Sequence, residues 1–228
     1  MLQRTKLAAP LRAWSARCRE KKQSKSGVGR PVFPPHSFKQ DVLRKYAIAY
    51  NLRILVETGT QQGHMLAALK NEFAKLYSIE LFPEYYEKAR QRFRDDPQIE
   101  LYCGDSTAVL PGVIAHLHEP ALFWLDGHYN PNRAPSGERV TPILAELAHL
   151  FAAPRLGHVI IVDDVRLFNE FTGYPKLDVV LSIIEQDGGW DILIRDDSIR
   201  LTPRAQQFPS RKKQPLILDS VLERAQNG

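Results

Sequence analysis

The chain has 228 residues, 43% hydrophobic and 25% charged, a balance that fits an ordinary globular domain and excludes collagen-like, coiled-coil and wholly disordered chains. Its net charge of +5 is uneven: residues 1–30 hold nine Lys/Arg against Glu20 alone. The remainder is therefore slightly acidic, which argues against a nucleic-acid-binding face spread across the fold.

No run approaches the ~20 consecutive apolar residues of a membrane span. Cys18 and Cys103 form neither a disulfide framework nor a metal knuckle, so a reducing, cytoplasmic setting is expected.

In chain order, residues 1–30 read as a basic N-terminal arm. Three uses stay open for it: a solvated tail, attachment to an anionic surface, or an organelle transit peptide. Residues 38–50 read as a helix packed before the first strand. The runs 53–57, 75–80, 98–103, 121–126, 158–163, 191–195 and 198–201 read as strands. Between them, Leu66/Leu69/Phe73, Tyr86/Ala89/Phe93, Leu144/Leu147/Phe151 and Leu177/Val180/Leu181/Ile184 fall at helical spacing and are expected to face a sheet. Strands alternating with helices predict a mostly parallel sheet. Only Asp196-Asp197 separate the last two strands, too few for a crossover helix, so they must form an antiparallel hairpin. The domain is bounded at 31–202, and residues 203–228 read as an appendage.

In open α/β sheets ligands sit beyond the carboxyl ends of the strands, and the residues there are unusual. The first strand ends in Glu57-Thr58-Gly59-Thr60-Gln61-Gln62-Gly63, where Gly59 permits a tight turn and Gly63 a close helix approach. The second ends in Glu80, placed to accept hydrogen bonds from ribose hydroxyls. The third ends in Gly104-Asp105-Ser106, a carboxylate and a hydroxyl within reach of an adenine. Plain helix caps and turns are the competing reading for each. Phe123 and Trp124 read as core. The fourth and fifth strands bring Asp126, Asp163 and Asp164, three acids that repel unless a cation sits among them. Oxygen ligands of this kind suit Mg²⁺ or another divalent ion. Helix caps and direct substrate contacts are the alternatives.

As a set, Glu57, Gly59, Thr60, Gly63, Glu80, Asp105, Ser106 and Asp126 resemble the ordered motifs of class I S-adenosylmethionine-dependent methyltransferases. Gln61 stands where that family's loop has its middle glycine. The resemblance implies a Rossmann-like, doubly wound, seven-stranded sheet ending in a hairpin. It assigns the 59–63 loop to the methionine part of S-adenosylmethionine, Glu80 to the ribose, and Asp105 with Ser106 to the adenine region. Asp126 with Asp163-Asp164 looks like the metal triad of the small-molecule, macrolide-sugar type O-methyltransferases. It implies a cation-assisted transfer to a sugar or other small-molecule hydroxyl, with His128 the candidate base beside Asp126. Residues 129–139 read as an acceptor loop, and Arg133, Arg139 and Arg166 as possible readers of an anionic acceptor, against a bland reading as solvated surface arginines. Rival readings are a nucleic-acid methyltransferase, a non-catalytic binding protein on the same fold, and a nicotinamide-dependent oxidoreductase.

Overall fold

The structure, a computed structural model, describes residues 34–127 and 141–204. Helix α1 (His36–Tyr50) precedes the first strand. The chain then alternates β1 (Ile54–Thr58), α2 (His64–Leu69), β2 (Lys75–Glu80), α3 (Pro83–Arg92), β3 (Ile99–Cys103), α4 (Ser106–Ala115), β4 (Ala121–Leu125), α5 (Ile143–Ala152) and β5 (Val159–Val162). A 3₁₀ turn (Val165–Leu167), α6 (Leu177–Asp187), β6 (Trp190–Arg195) and β7 (Ser198–Pro203) follow. The expected strands all form, with ends shifted by one or two residues.

The sheet order is β3-β2-β1-β4-β5-β7-β6, parallel through β5, with β7 antiparallel to both β5 and β6. Every residue of β4 and β5 is buried, as strands covered on both faces must be. On one face Leu55, Leu76, Leu122, Trp124 and Ile161 form a core with α1 (Val42, Leu43, Tyr46), α2 (Met65, Leu66, Leu69) and α3 (Ala89). The alternate residues Val56, Phe123 and Ile160 point the other way and are buried too, on the face where α4 packs against α5. Asp196 and Asp197 both have positive φ, 49° and 61°, the backbone that a two-residue hairpin turn requires.

Two helical faces differ from expectation. Phe73 is buried but lies beyond the end of α2. Leu144 is 37% exposed, because α5 starts after Pro142 with Ile143, Glu146, Leu147 and Leu150 turned inward. The strand order reverses between β1 and β4, which opens a crevice at their carboxyl ends.

Candidate active site

At that crevice the β1–α2 turn is held by a buried relay. The Ser78 hydroxyl donates to Glu57 Oε2 at 2.5 Å and lies 2.6 Å from Thr60 Oγ1. Glu57 is 2% exposed, and burial pushes its carboxyl up to about 8, with the Ser78 bond pulling the other way and the nearby Glu80 charge adding to the rise. Glu80 binds the turn directly: Gln61 N–H donates to its Oε2 at 2.7 Å and Phe82 N–H to its Oε1 at 2.9 Å. Gln61 adopts φ +47°, so it takes the left-handed backbone a glycine would take, at a cost of about 1–2 kcal/mol, and turns its N–H to Glu80. Gly63 has φ +68°, and a Cβ there would stand 2.6 Å from Phe93 Cε2.

At the end of β3, Asp105 caps α4 by accepting the Thr107 N–H at 2.8 Å, so the capping reading holds for that carboxylate. Ser106 opens the helix beside it, buried.

The parallel ladder runs one residue past β4 and β5: Asp126 N–H donates to Thr58 O (3.2 Å) and Asp163 N–H to Leu125 O (3.0 Å). Asp126 and Asp163 therefore stand side by side. Asp164 follows with φ +58°, and one ligand oxygen from each of Asp126, Asp163 and Asp164 lies within 4.8 Å of the others. Loss of water, then the Asp163 and Asp164 charges, hold Asp126 well above the usual carboxylate range. Burial, then Asp164, hold Asp163 up at about 6, against the pull of Lys39.

Among the described residues, two cations face the cluster. Lys39 of α1 donates to Asp163 and, at 3.4 Å, to Asp164 Oδ1, with its ammonium 5.9 Å from the Trp124 ring centre. Loss of water works against its charge, but Asp163 and Asp164 outweigh that and raise its pKa. Arg166 pairs with Asp164 and with Asp197 of the β6–β7 turn, and its backbone N–H also bonds Asp197 Oδ1 at 2.8 Å. The terminal hairpin is thereby clamped to the loop that carries the acids. The side-chain bonds to these two acids both run from one guanidinium nitrogen of Arg166, so the structure places it beside the acids as a partner of Asp164 and Asp197.

The two half-sites touch. Gly59, at φ +90°, approaches so closely that a Cβ on it would stand 2.7 Å from the carbonyl oxygen of Asp126. The structure thus brings Glu57, Gly59, Thr60, Gly63 and Glu80 to one side of this contact and the three acids to the other. His128, residues 129–139 and the basic arm lie outside the described residues. The sequence reading missed Lys39, Asp197 and Glu146, a buried acid in the first turn of α5 beside Gly127.

No protein-family profile matches the chain, and no curated protein matches it. Solved structures do resemble it. A Podospora anserina methyltransferase with SAH bound superposes with TM-score 0.56 at 14% identity, over 89% of this chain and 100% of the other. The O-methyltransferase TomG from Streptomyces achromogenes, in complex with SAM, gives 0.52 at 17% identity over 87% and 92%. An O-methyltransferase from Bacillus cereus in complex with SAH gives 0.53 at 14% identity over 87% and 92%. The fold is that of the class I methyltransferases. In this methyltransferase fold the seven strands and closing hairpin stand as the sequence implied, and among the described residues no helix is long and apolar enough to cross a membrane.

Proposed function

We propose that the protein transfers a methyl group from S-adenosylmethionine to a hydroxyl oxygen of a small-molecule acceptor. The observation that carries this reading is the contact between Gly59 and Asp126, which sets a nucleoside-binding turn against an acidic cluster with no side chain between them. The 59–63 loop takes the methionine part of the donor, and the α4 N-terminus at Asp105 and Ser106 borders its adenine. Glu80 takes the ribose while still bonding Gln61 and Phe82, because each carboxylate oxygen has a second lone pair.

The acids suit a divalent ion. Asp163 Oδ1 is buried without a hydrogen-bond partner, and one oxygen from each of Asp126, Asp163 and Asp164 lies within 4.8 Å of the others. Asp126, Asp163 and Asp164 would hold the ion, which supplies Lewis acidity that lowers the pKa of an acceptor hydroxyl. The chain's own residues do the rest. Asp126 and Asp163 fix the acceptor side, Gly59 lets the donor approach, and the oriented pair reacts in line. The acceptor oxygen bonds the methyl carbon, the sulfonium sulfur leaves with the bonding electrons, and the hydroxyl proton passes to His128, assigned as base by its place two residues after Asp126.

Radiolabelled methyl transfer from S-adenosylmethionine into a panel of polar alcohols and sugars tests the reading. Incorporation that fails with a chelator and in Asp163→Asn supports it, and full incorporation under both conditions removes the metal.

A further inference from the structure

Helix α1 reaches the acid cluster with one side chain. Val42, Leu43 and Tyr46 form the buried face of the helix, and Lys39 stands one turn earlier on the same stripe. Its ammonium bonds Asp163 Oδ2 and lies 3.4 Å from Asp164 Oδ1, with the Trp124 ring centre 5.9 Å away. Two of the three acids that would hold a divalent ion thus turn an oxygen to a single Lys39 nitrogen, and the charge of the third, Asp126, reaches it too. The group is shielded from water: the Lys39 side chain is 16% exposed, that of Asp163 2% and that of Asp164 9%.

An ammonium and a metal ion ask the same thing of a carboxylate. Lys supplies a compact point charge with three N–H donors, and Mg²⁺ takes carboxylate oxygens at about 2.0–2.1 Å. An ion shared by the oxygens that Lys39 bonds takes the place of its nitrogen or stands directly beside it, where two cations repel with little screening. One has to leave. Lys39 can do so, because its four-carbon stem is flexible and its helix turn begins at the exposed His36. Arg166 can stay, held by Asp197 of the hairpin as well as by Asp164.

We propose that Lys39 and the divalent ion are alternative occupants of the acid cluster. Lys39 neutralises Asp163 and Asp164 in the ion-free protein, the ion displaces it, and that displacement sets how weakly the ion binds. The ammonium leaves protonated and becomes hydrated, so no proton and no covalent bond changes hands. This assignment rests on the ion-site reading of Asp126, Asp163 and Asp164.

The test is a Mn²⁺ titration of full-length protein without donor or acceptor, with the free ion followed by electron paramagnetic resonance, in wild type, Lys39→Met, Lys39→Arg and Lys39→Met/Asp163→Asn. Lys39→Met is expected to bind Mn²⁺ at least tenfold more tightly than wild type, Lys39→Arg no more tightly, and the added Asp163→Asn to remove the gain. In wild type, Mg²⁺ should raise the rate of reductive methylation at Lys39, read by mass spectrometry, by about threefold or more relative to the other lysines. Equal or weaker Mn²⁺ binding by a folded Lys39→Met overturns the competition and leaves the ion site standing. A gain that survives Asp163→Asn puts the ion elsewhere and overturns it as well. If Lys39→Met does not fold, the wild-type labelling decides alone: a rate at Lys39 unchanged by saturating Mg²⁺ overturns the proposal. No Mn²⁺ binding at millimolar concentration by wild type or Lys39→Met removes the ion site itself, and the competition with it.

Discussion

Replacing Lys39 with Met removes the ammonium that contacts Asp163 and Asp164 and leaves Arg166 to face the cluster. The Lys39 side chain is 16% exposed and that of Asp163 2%, so the pair is mostly shielded from water. Breaking a fully buried pair costs about 3–5 kcal/mol, and the exposed fraction of Lys39 brings the expected loss to about 2 kcal/mol. For a domain of this size that is a fall in Tm of about 4–8 °C. A divalent ion that binds the folded cluster restores stability: at one hundred times its Kd it returns about 2.7 kcal/mol. Scanning fluorimetry of Lys39→Met at pH 7.5 should therefore show a marked fall in chelator that Mg²⁺ or Mn²⁺ largely reverses, with a smaller ion effect in wild type. The pH dependence has a definite sign. Asp163 titrates higher in the fold, at about 6, than its ordinary value of 3.8, so its charge opposes folding increasingly as pH rises through that window. The Lys39→Met loss therefore shrinks as pH falls from 7.5 toward 5. A variant as stable as wild type, or a loss that no divalent ion repairs, would refute this reasoning.

Three further outcomes follow from the same geometry. Asp163→Asn abolishes methyl transfer while the Kd for S-adenosylhomocysteine, measured by calorimetry, stays within about threefold, since each 1.4 kcal/mol is tenfold and Asp163 lies on the acceptor side. Gly59→Ala puts a Cβ 2.7 Å from the Asp126 carbonyl in a left-handed backbone; it should cost about 2–3 kcal/mol and weaken S-adenosylhomocysteine binding by more than tenfold. Glu57 has a folded pKa of about 8 against an ordinary 4.5, so its ionisation takes stability away as pH rises between those values. The Tm of Glu57→Gln relative to wild type should accordingly climb from pH 5 to pH 8.5, and a flat difference would show that Glu57 is solvated.

Much of the frame was legible because parallel central strands are apolar at every position. Residues 121–125 and 159–162 could be read as β4 and β5 without knowing their neighbours. The acids were legible because they end those strands. Asp105 was legible only as a choice, and its bond to Thr107 N–H makes it a cap. Lys39 escaped because Asp163 lies 124 residues away, although a signal was present: Lys39, Val42, Leu43 and Tyr46 occupy one helical stripe, of which only the first is charged. Glu146 escaped in the same way, at the i+3 position of a stripe with Ile143, Leu147 and Leu150. A charged residue in a core stripe is the mark both shared, and both turn toward the site. The double role of Glu80 could not be read either, since its bonds to Gln61 and Phe82 are to backbone N–H groups, which any residue type provides.

The central claim is that the Gly59–Gly63 turn and Glu80 receive an adenosyl donor beside the acid cluster. Isothermal titration of the purified chain with S-adenosylhomocysteine and, separately, with NAD tests it most directly. The account predicts micromolar binding of S-adenosylhomocysteine, about −8 kcal/mol, and no heat with NAD. Silence with S-adenosylhomocysteine, with or without Mg²⁺, would contradict it.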